Sequence, residues 1–407
     1  MVLPIRFSCC LLVGAGLVSF LFSGCRHDNV GHSDPPKAET VDVCLDAETP
    51  LPDTSEAEKV IEESFGAVER DSKGRIIGVD LAKARASATD LVLRQALTIP
   101  GLKKFRLAGG GISSEVFVEL QKQNDIEDLY LQGLAIQNED LVPVISALKK
   151  LKRLTLRSLF SVTDEGVRAI AASSGLTKLD LIEMNISGAC LETIIQSKTV
   201  RAIDLRQCGL LNASHYRSLQ AMDRLVDLKV GGLAVNDDVL DAILPLSALT
   251  GLAIEDALIS ADGLARFLSE SASRTSLETL VLNRNSAILD GGLLPVGTLP
   301  KLKRLTVSDM MIVGSFLEQM AVDEQRRPKL HRLSLRKSLL TPENAKALRH
   351  YPELRQLDLS CVAMTPELAE VVTSLDWLEE LDARDCQLDE QLIETLRSIK
   401  SLKKLLH

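Results

Sequence analysis

The chain has 407 residues, of which 45% are hydrophobic but only 3% aromatic, and its formal net charge is -9. A core so aliphatic is built from many copies of a small packing unit, which lifts the usual expectation of two or three compact domains for this length. The acidic balance argues against a nucleic-acid binder, which needs a basic surface to release phosphate counterions. Of the eight cysteines, the five from Cys44 onward are an odd number without close-paired spacing, which reads as neither a disulfide framework nor a zinc site.

Residues 1–24 read as a signal peptide. Arg6 supplies a positive start, and Phe7 to Phe22 form an uncharged stretch of 16 residues, shorter than the ~20 that span a bilayer. The end of this segment, Leu21-Phe22-Ser23-Gly24-Cys25, resembles the lipobox of bacterial lipoproteins. That resemblance implies a lipid on the Cys25 thiol, cleavage before Cys25, and attachment to the cell envelope. Arg26 stands where an Asp would favour inner-membrane retention, so the implied address is the outer membrane or its periplasmic face. Phe22 departs from the aliphatic residue usual in the motif; ordinary signal cleavage and an uncleaved membrane helix are the competing readings. Residues 25–53 carry Pro35, Pro36, Pro50 and Pro52 and few large apolars, the composition of a solvated tether. His27, His32 and Cys44 lie there without metal-ligand spacing. Residues 54–75 predict an N-terminal cap: a helix over 55–68 with Val60, Ile61 and Phe65 on one face, then a turn at Asp71-Ser72-Lys73-Gly74.

From residue 76 to the last residue one pattern recurs: apolar, two variable, apolar, one variable, apolar. It begins at Ile76, Leu102, Ile126, Leu151, Leu176, Val200, Leu225, Leu249, Leu277, Leu302, Leu330, Leu354, Leu378 and Leu402, at spacings of 24 to 28 residues. Its last two apolar positions, such as Leu154 with Leu156, are two apart and share one face of a strand. Five residues later another aliphatic follows, for example Ile112, Ile136, Leu210, Val235 and Leu340. A helix start comes next: Thr341-Pro342-Glu343 and Thr365-Pro366-Glu367 pair a cap residue with Pro at the first helical position. Each unit is therefore strand, turn, helix and return. Strands stack ~4.8 Å apart and helices are ~10 Å thick, so the stack bends with its strands inside.

These units resemble the leucine-rich-repeat superfamily over about 14 repeats, with helix-bearing units similar to its ribonuclease-inhibitor-like and cysteine-containing subtypes. The resemblance implies an α/β fold: a right-handed solenoid horseshoe with a concave parallel sheet and convex helices. It also implies protein binding as a class of function. Cys208, Cys386 and Asn285 occupy the place where the superfamily carries Asn or Cys. Leu134, Leu159, Met184, Leu233, Met310 and Val362 stand there in other units, so the side-chain ladder of that position is mostly missing. The chain stops at Leu402-Lys403-Lys404-Leu405-Leu406-His407, partway through a unit, which predicts an open last strand able to pair with another copy.

The third, fifth and seventh places of each unit face the hollow of the horseshoe. They hold twelve Lys or Arg against nine Asp or Glu, so this surface is more basic than the whole chain. Candidate ligand-binding residues are Arg153, Arg157, Lys178, Asp180, Asp204 and Arg206, then Arg304, Arg332 and Arg336, with Tyr130 as the aromatic of the face. Arginine forks there suit a protein or peptide ligand bearing carboxylates. The alternative is a solvated face of mutual cross-strand pairs, such as Lys178 with Asp204. Two units of 28 residues carry their extra length near 269–274 and 323–328. No catalytic constellation, phosphate loop, metal site or cofactor motif is expected; Gly109-Gly110-Gly111 falls in a repeat turn. Three functions remain: a binding module displayed on the envelope, a structural envelope protein that self-associates through its last strand, or a secreted adaptor similar to the F-box repeat proteins, for which residues 54–75 look too short.

Overall fold

Each of the fourteen repeated segments forms a strand, and the strands stack in chain order as one 15-stranded sheet. The computed structural model describes residues 53–407 apart from residue 84, residues 172–174 and residues 325–326. The expected signal segment, Cys25 and the expected tether up to residue 52 lie outside the described residues. The strands are β1 (Ala67–Arg70), β2 (Ile76–Leu81), β3 (Lys104–Ala108), β4 (Asp128–Gln132), β5 (Arg153–Arg157), β6 (Lys178–Ile182), β7 (Ala202–Asp204), β8 (Asp227–Gly231), β9 (Gly251–Glu255), β10 (Thr279–Val281), β11 (Arg304–Thr306), β12 (Arg332–Ser334), β13 (Gln356–Asp358), β14 (Glu380–Asp382) and β15 (Lys404–Leu406). From β2 onward all pairs are parallel and in register, so the third place of one unit always faces the third place of the next. The aliphatics between those places point the other way and merge into one buried core running from Ala57 to Ile399.

The N-terminal segment differs from its prediction. The helix covers Ser55–Glu63, not 55–68, and Phe65 is exposed rather than packed. The chain turns at Phe65, whose φ is 59°, and then passes so close to Ile61 and Leu81 that a Cβ on Gly66 would lie 2.8 Å from each. That turn frees Ala67–Arg70 to form β1, which pairs antiparallel with β2. A hairpin closed by Asp71 and Arg75 therefore covers the first edge of the sheet.

The turn after each strand is more regular than its side chains suggest. In all twelve units from β3 to β14, the residue two past the last strand aliphatic has a positive φ. Three of these are glycines; nine are not, among them Ser158, Glu183, Gln207, Asp256 and Lys337. A left-handed non-glycine residue costs roughly 1 kcal/mol. A backbone ladder offsets it: each of these N–H groups up to Cys361 donates to the carbonyl of the seventh residue in the next unit, at 2.9 to 3.1 Å, as Gly109 does to Gln132 and Glu183 to Arg206. The side-chain position of the superfamily contributes where it is polar. The Cys208 and Cys386 thiols donate to Leu181 O and Leu359 O at 3.1 Å, and Asn285 Nδ2 donates to Ile254 O at 2.8 Å. Burial pushes the Cys208 thiol up to about 11, so it stays a neutral donor.

Acids at the helix starts do more than favour the dipole. The Asp90 carboxylate accepts from the backbone N–H and hydroxyl of Ser113, both at 2.8 Å, in the next unit. Asp164 does the same for Ser187, and Asp237 for Ser260. Thr341 and Thr365 cap their helices as expected, accepting from Asn344 N and Leu368 N. At the aliphatic place five past the strand, Leu210 is 56% exposed and the next residue, Leu211, is buried instead, because that turn holds one more residue. The outer layer mixes α and 3-10 turns. Asp290–Thr298, with Pro295 and three glycines, is 3-10 throughout. The first long unit absorbs its extra residues inward: Ser271 and Ser273 are buried and bonded to each other. The second long insertion lies partly outside the described residues. Trp377 packs partly buried against the core.

Candidate functional site

Register places the polar residues of the concave face in three rows. The third-place row runs Lys104, Asp128, Arg153, Lys178, Ala202, Asp227, Gly251, Thr279, Arg304, Arg332, Gln356, Glu380 and Lys404. Neighbours in a row are one strand spacing apart, ~4.8 Å, close enough for side chains to meet directly.

In the N-terminal half they do meet. Arg153 Nε lies 2.9 Å from an Asp128 oxygen, and Arg106 lies 3.4 Å from Asp80 while its guanidinium sits 4.2 Å from the centre of the Tyr130 ring. The Tyr130 hydroxyl is itself bonded to Gln132. Arg157 reaches Glu183 at 3.9 Å, a loose pair. Lys178 does not face Asp204, since Ala202 is its neighbour in the row. It turns along its own strand to Asp180, at 3.1 Å. Asp180 also accepts from Thr155 Oγ1 at 3.0 Å, yet its Oδ1 is buried without a partner. Burial pushes the Asp180 carboxyl above its ordinary range, with Asp204 adding to the rise.

The densest pairing crosses β8. Asp204, 1% exposed, takes a forked bond from Arg206 at 2.9 and 2.7 Å. Arg206 Nη1 continues to Glu255 at 2.8 Å, two strands away. Gly231 lies between them, and a Cβ there would approach the Glu255 carbonyl to 2.3 Å and the Arg206 side chain to 3.3 Å. Arg284 holds the other Glu255 oxygen at 3.1 Å and Asp256 at 2.7 Å. The result is a five-membered chain of alternating charge with its acids buried or half-buried.

The C-terminal half is open. Arg304 donates only to the Thr279 hydroxyl, at 2.9 Å. The exposed side chains of Arg332 and Arg336 make no hydrogen bond or ion pair among the described residues. Beside them the face is lined by small residues, Gly251, Ala253, Thr279 and Val281, which leave a hollow of about 400 Å³ bordered by Lys229 and Arg304. A second hollow of about 280 Å³ spans Arg304, Arg332, Gln356 and Glu380, and a third of about 300 Å³ runs from Arg332 past Asp358, Glu380 and Asp382 to Arg384 and Lys404. Arg304 and Arg332 thus stand on the walls between successive hollows. Ser308, Ser334 and Asp358 floor this stretch with a hydroxyl chain bonded at 3.1 and 2.7 Å.

The structure therefore divides the predicted site. Arg153 is taken by Asp128, Lys178 by Asp180, and Arg206 by Asp204 and Glu255, while Arg157 is loosely held by Glu183. Tyr130 is covered by Arg106. Arg304, Arg332 and Arg336 remain available. The hollow over Gly251, Ala253 and Val281 was not anticipated; its only signal in the sequence was a run of small residues at inward-facing places. Among the described residues no group of three or more His, Cys, Asp or Glu is placed to hold a metal ion. No described helix is long and apolar enough to cross a membrane.

No protein-family model matches the sequence, and no curated protein matches it. Solved structures do. A chain of the yeast Rad7 and Elc1 complex is 20% identical with a TM-score of 0.57, covering 74% of this chain and 80% of that one. The internalin inlF of Listeria monocytogenes is 19% identical with a TM-score of 0.43, covering 87% of this chain and 95% of that one. A chain of the TLR13–ssRNA13 complex is 18% identical with a TM-score of 0.42, and the match spans 76% of this chain but 47% of that one. The in-register parallel stack, its outer helices and the likeness to the Rad7–Elc1 structure agree: this chain has the fold of the leucine-rich-repeat superfamily, an α/β solenoid bent into a horseshoe.

Proposed function

We propose that the protein is a non-catalytic binding module, displayed from the bacterial envelope by a lipid on Cys25, which holds an acidic protein segment or peptide against the C-terminal half of its concave face. The observation that carries this reading is the pair Arg304 and Arg332. They stand on adjacent strands, free of carboxylate partners, between three consecutive hollows. An extended chain lying across β9 to β14 would set side chains into the hollows and carboxylates against the guanidinium forks. A protein partner accords with the fold, since the similar yeast structure is a complex of two proteins.

The test is binding to acidic peptides and envelope extracts with the full chain and with a variant carrying Arg304→Ala, Arg332→Ala and Arg336→Ala. The expected outcome is at least a tenfold loss of affinity in the variant, together with steep weakening by salt in the parent. Equal binding by both would sink the assignment. Incorporation of radioactive palmitate, lost in Cys25→Ala, checks the anchor separately. Self-association is a second reading. Leu402 and Leu405 of the last unit stay half-buried, while their counterparts Leu378 and Leu381 in the preceding unit are fully buried. Pairing with another copy along the outer edge of β15 would cover them. Light scattering that shows a monomer at every concentration would remove this reading.

A further inference from the structure

Of the three hollows, the one over β9 and β10 alone has on its wall a carboxylate with no hydrogen bond or ion pair among the described residues, that of Asp227. The hollow measures about 400 Å³ above a floor of Gly251, Ala253, Thr279 and Val281. Asp227 closes it on the β8 side. Its carboxylate leans over Gly251, where a Cβ would meet it at 3.4 to 3.6 Å. Arg304 closes the far side and leans back, its Nε donating to the Thr279 hydroxyl at 2.9 Å. An acid and a base therefore bend toward each other from opposite walls and form no ion pair.

The other charges of the hollow leave this pair alone. Glu278 is held by Lys303 at 3.2 Å. Lys229 lies two places along β8, in the row of Ala253 and Val281, and makes no ion pair with Asp227. The row Asp227, Gly251, Thr279, Arg304 thus has an acid at one end, a base at the other and nothing charged between. With one group over Gly251 and the other at Thr279, on adjoining strands, the two charges stand roughly 5 Å apart. Asp227 repels a ligand whose charges are all carboxylates. What fits is an ammonium and a carboxylate side by side on one face of the ligand. Within an extended chain, neighbouring side chains point to opposite faces, and those on one face are ~6.8 Å apart. The first residue of a chain escapes this limit when it is Asp or Glu, because its α-ammonium and its side-chain carboxylate are only about 3 to 5 Å apart.

We propose that this hollow binds the free N-terminus of the acidic segment, the α-ammonium of a leading Asp or Glu resting on Asp227 and its side-chain carboxylate on the Arg304 fork. The bound chain then has one direction. It starts beside β8, beyond which Arg206 and Lys178 are already paired, and runs past Arg332 toward β14. This orientation rests on the binding of an acidic segment across β9 to β14 proposed above, and it narrows the partner to a chain whose amino end is free.

The test titrates the full chain with a hexapeptide of alternating glutamate and valine that begins with glutamate and is amidated at its C-terminus. Its N-terminus is either free or acetylated. The free form is expected to bind about tenfold more tightly than the acetylated one. Asp227→Asn, a change at a half-buried side chain that bonds to nothing, should abolish that difference without altering the thermal melt. Affinity for the free form should fall as the pH rises through the α-amino range near ~8, while affinity for the acetylated form stays level. Equal binding of the two forms by the parent overturns the proposal and leaves the acidic-segment reading standing. So does an Asp227→Asn variant that still prefers the free form. Failure of both forms to bind the parent defeats the acidic-segment reading and this orientation together.

Discussion

The two halves of the concave face carry similar charges and use them differently. On β4 to β9 nearly every cation is taken: Arg153 by Asp128, Lys178 by Asp180, Arg206 by Asp204 and Glu255. On β11 and β12, Arg304 and Arg332 adjoin each other with no carboxylate in hand. The difference comes from what lies one or two strands away. In the first half acids alternate with bases along the rows. The glycine at position 231 even opens a path for Arg206 to reach past its nearest neighbour. In the second half the places directly beside Arg304 and Arg332 in their row are Thr279 and Gln356, which cannot neutralise an arginine, and the acids beyond them are engaged elsewhere, Asp358 by Ser334 and Ser360, Glu380 by Gln356 and Asp382 by Arg384. A charge on a repeat surface is available to a ligand only where the adjoining repeats leave it unspent.

The sharpest way to break this comparison is to make the same change in each half. Arg206→Ala leaves Asp204 buried without its fork and Glu255 with one partner fewer. It is expected to cost about 3–5 kcal/mol in denaturant unfolding. A loss under about 1 kcal/mol would mean that the pairing contributes little and that the first half is as open as the second. Asp180→Asn probes the one carboxylate of that half left partly unsatisfied. Its folded value is raised by burial, so ionisation at neutral pH opposes folding, and the penalty disappears as the pH falls through that raised value. The variant should be more stable than the parent at neutral pH, with the gain vanishing near the ordinary carboxylate range. A constant difference between the two pH values would contradict the assignment. Arg332→Ala should be the mildest, within about 0.5 kcal/mol of the parent in stability because the side chain holds nothing. Its effect belongs in ligand affinity alone, and a marked drop in melting temperature would place Arg332 among the structural arginines.

Much of the architecture was legible because the period is carried by many aliphatic side chains at once. Leu154 and Leu156, or Leu357 and Leu359, say which way a strand faces without any tertiary knowledge. Errors arose where a single residue decides the geometry. The helix ends at Glu63 because the chain reverses at Phe65 and Gly66, which hydrophobic periodicity does not register. Leu211 replaces Leu210 in the core because one extra turn residue shifts the count. The absent Asn ladder suggested irregular turns, yet backbone N–H groups in the left-handed conformation join eleven successive pairs of units. Backbone hydrogen bonds leave no trace in side-chain identity.

The sequence by itself determined the repeat length, the direction of each strand's two faces and therefore the curvature, since these follow from side-chain period and the unequal thickness of strand and helix. Only the tertiary structure decided which charges are free and where the face is hollow. Those are relations between residues some 25 positions apart, set by register and by the room a neighbour leaves, and one chain position cannot express them alone.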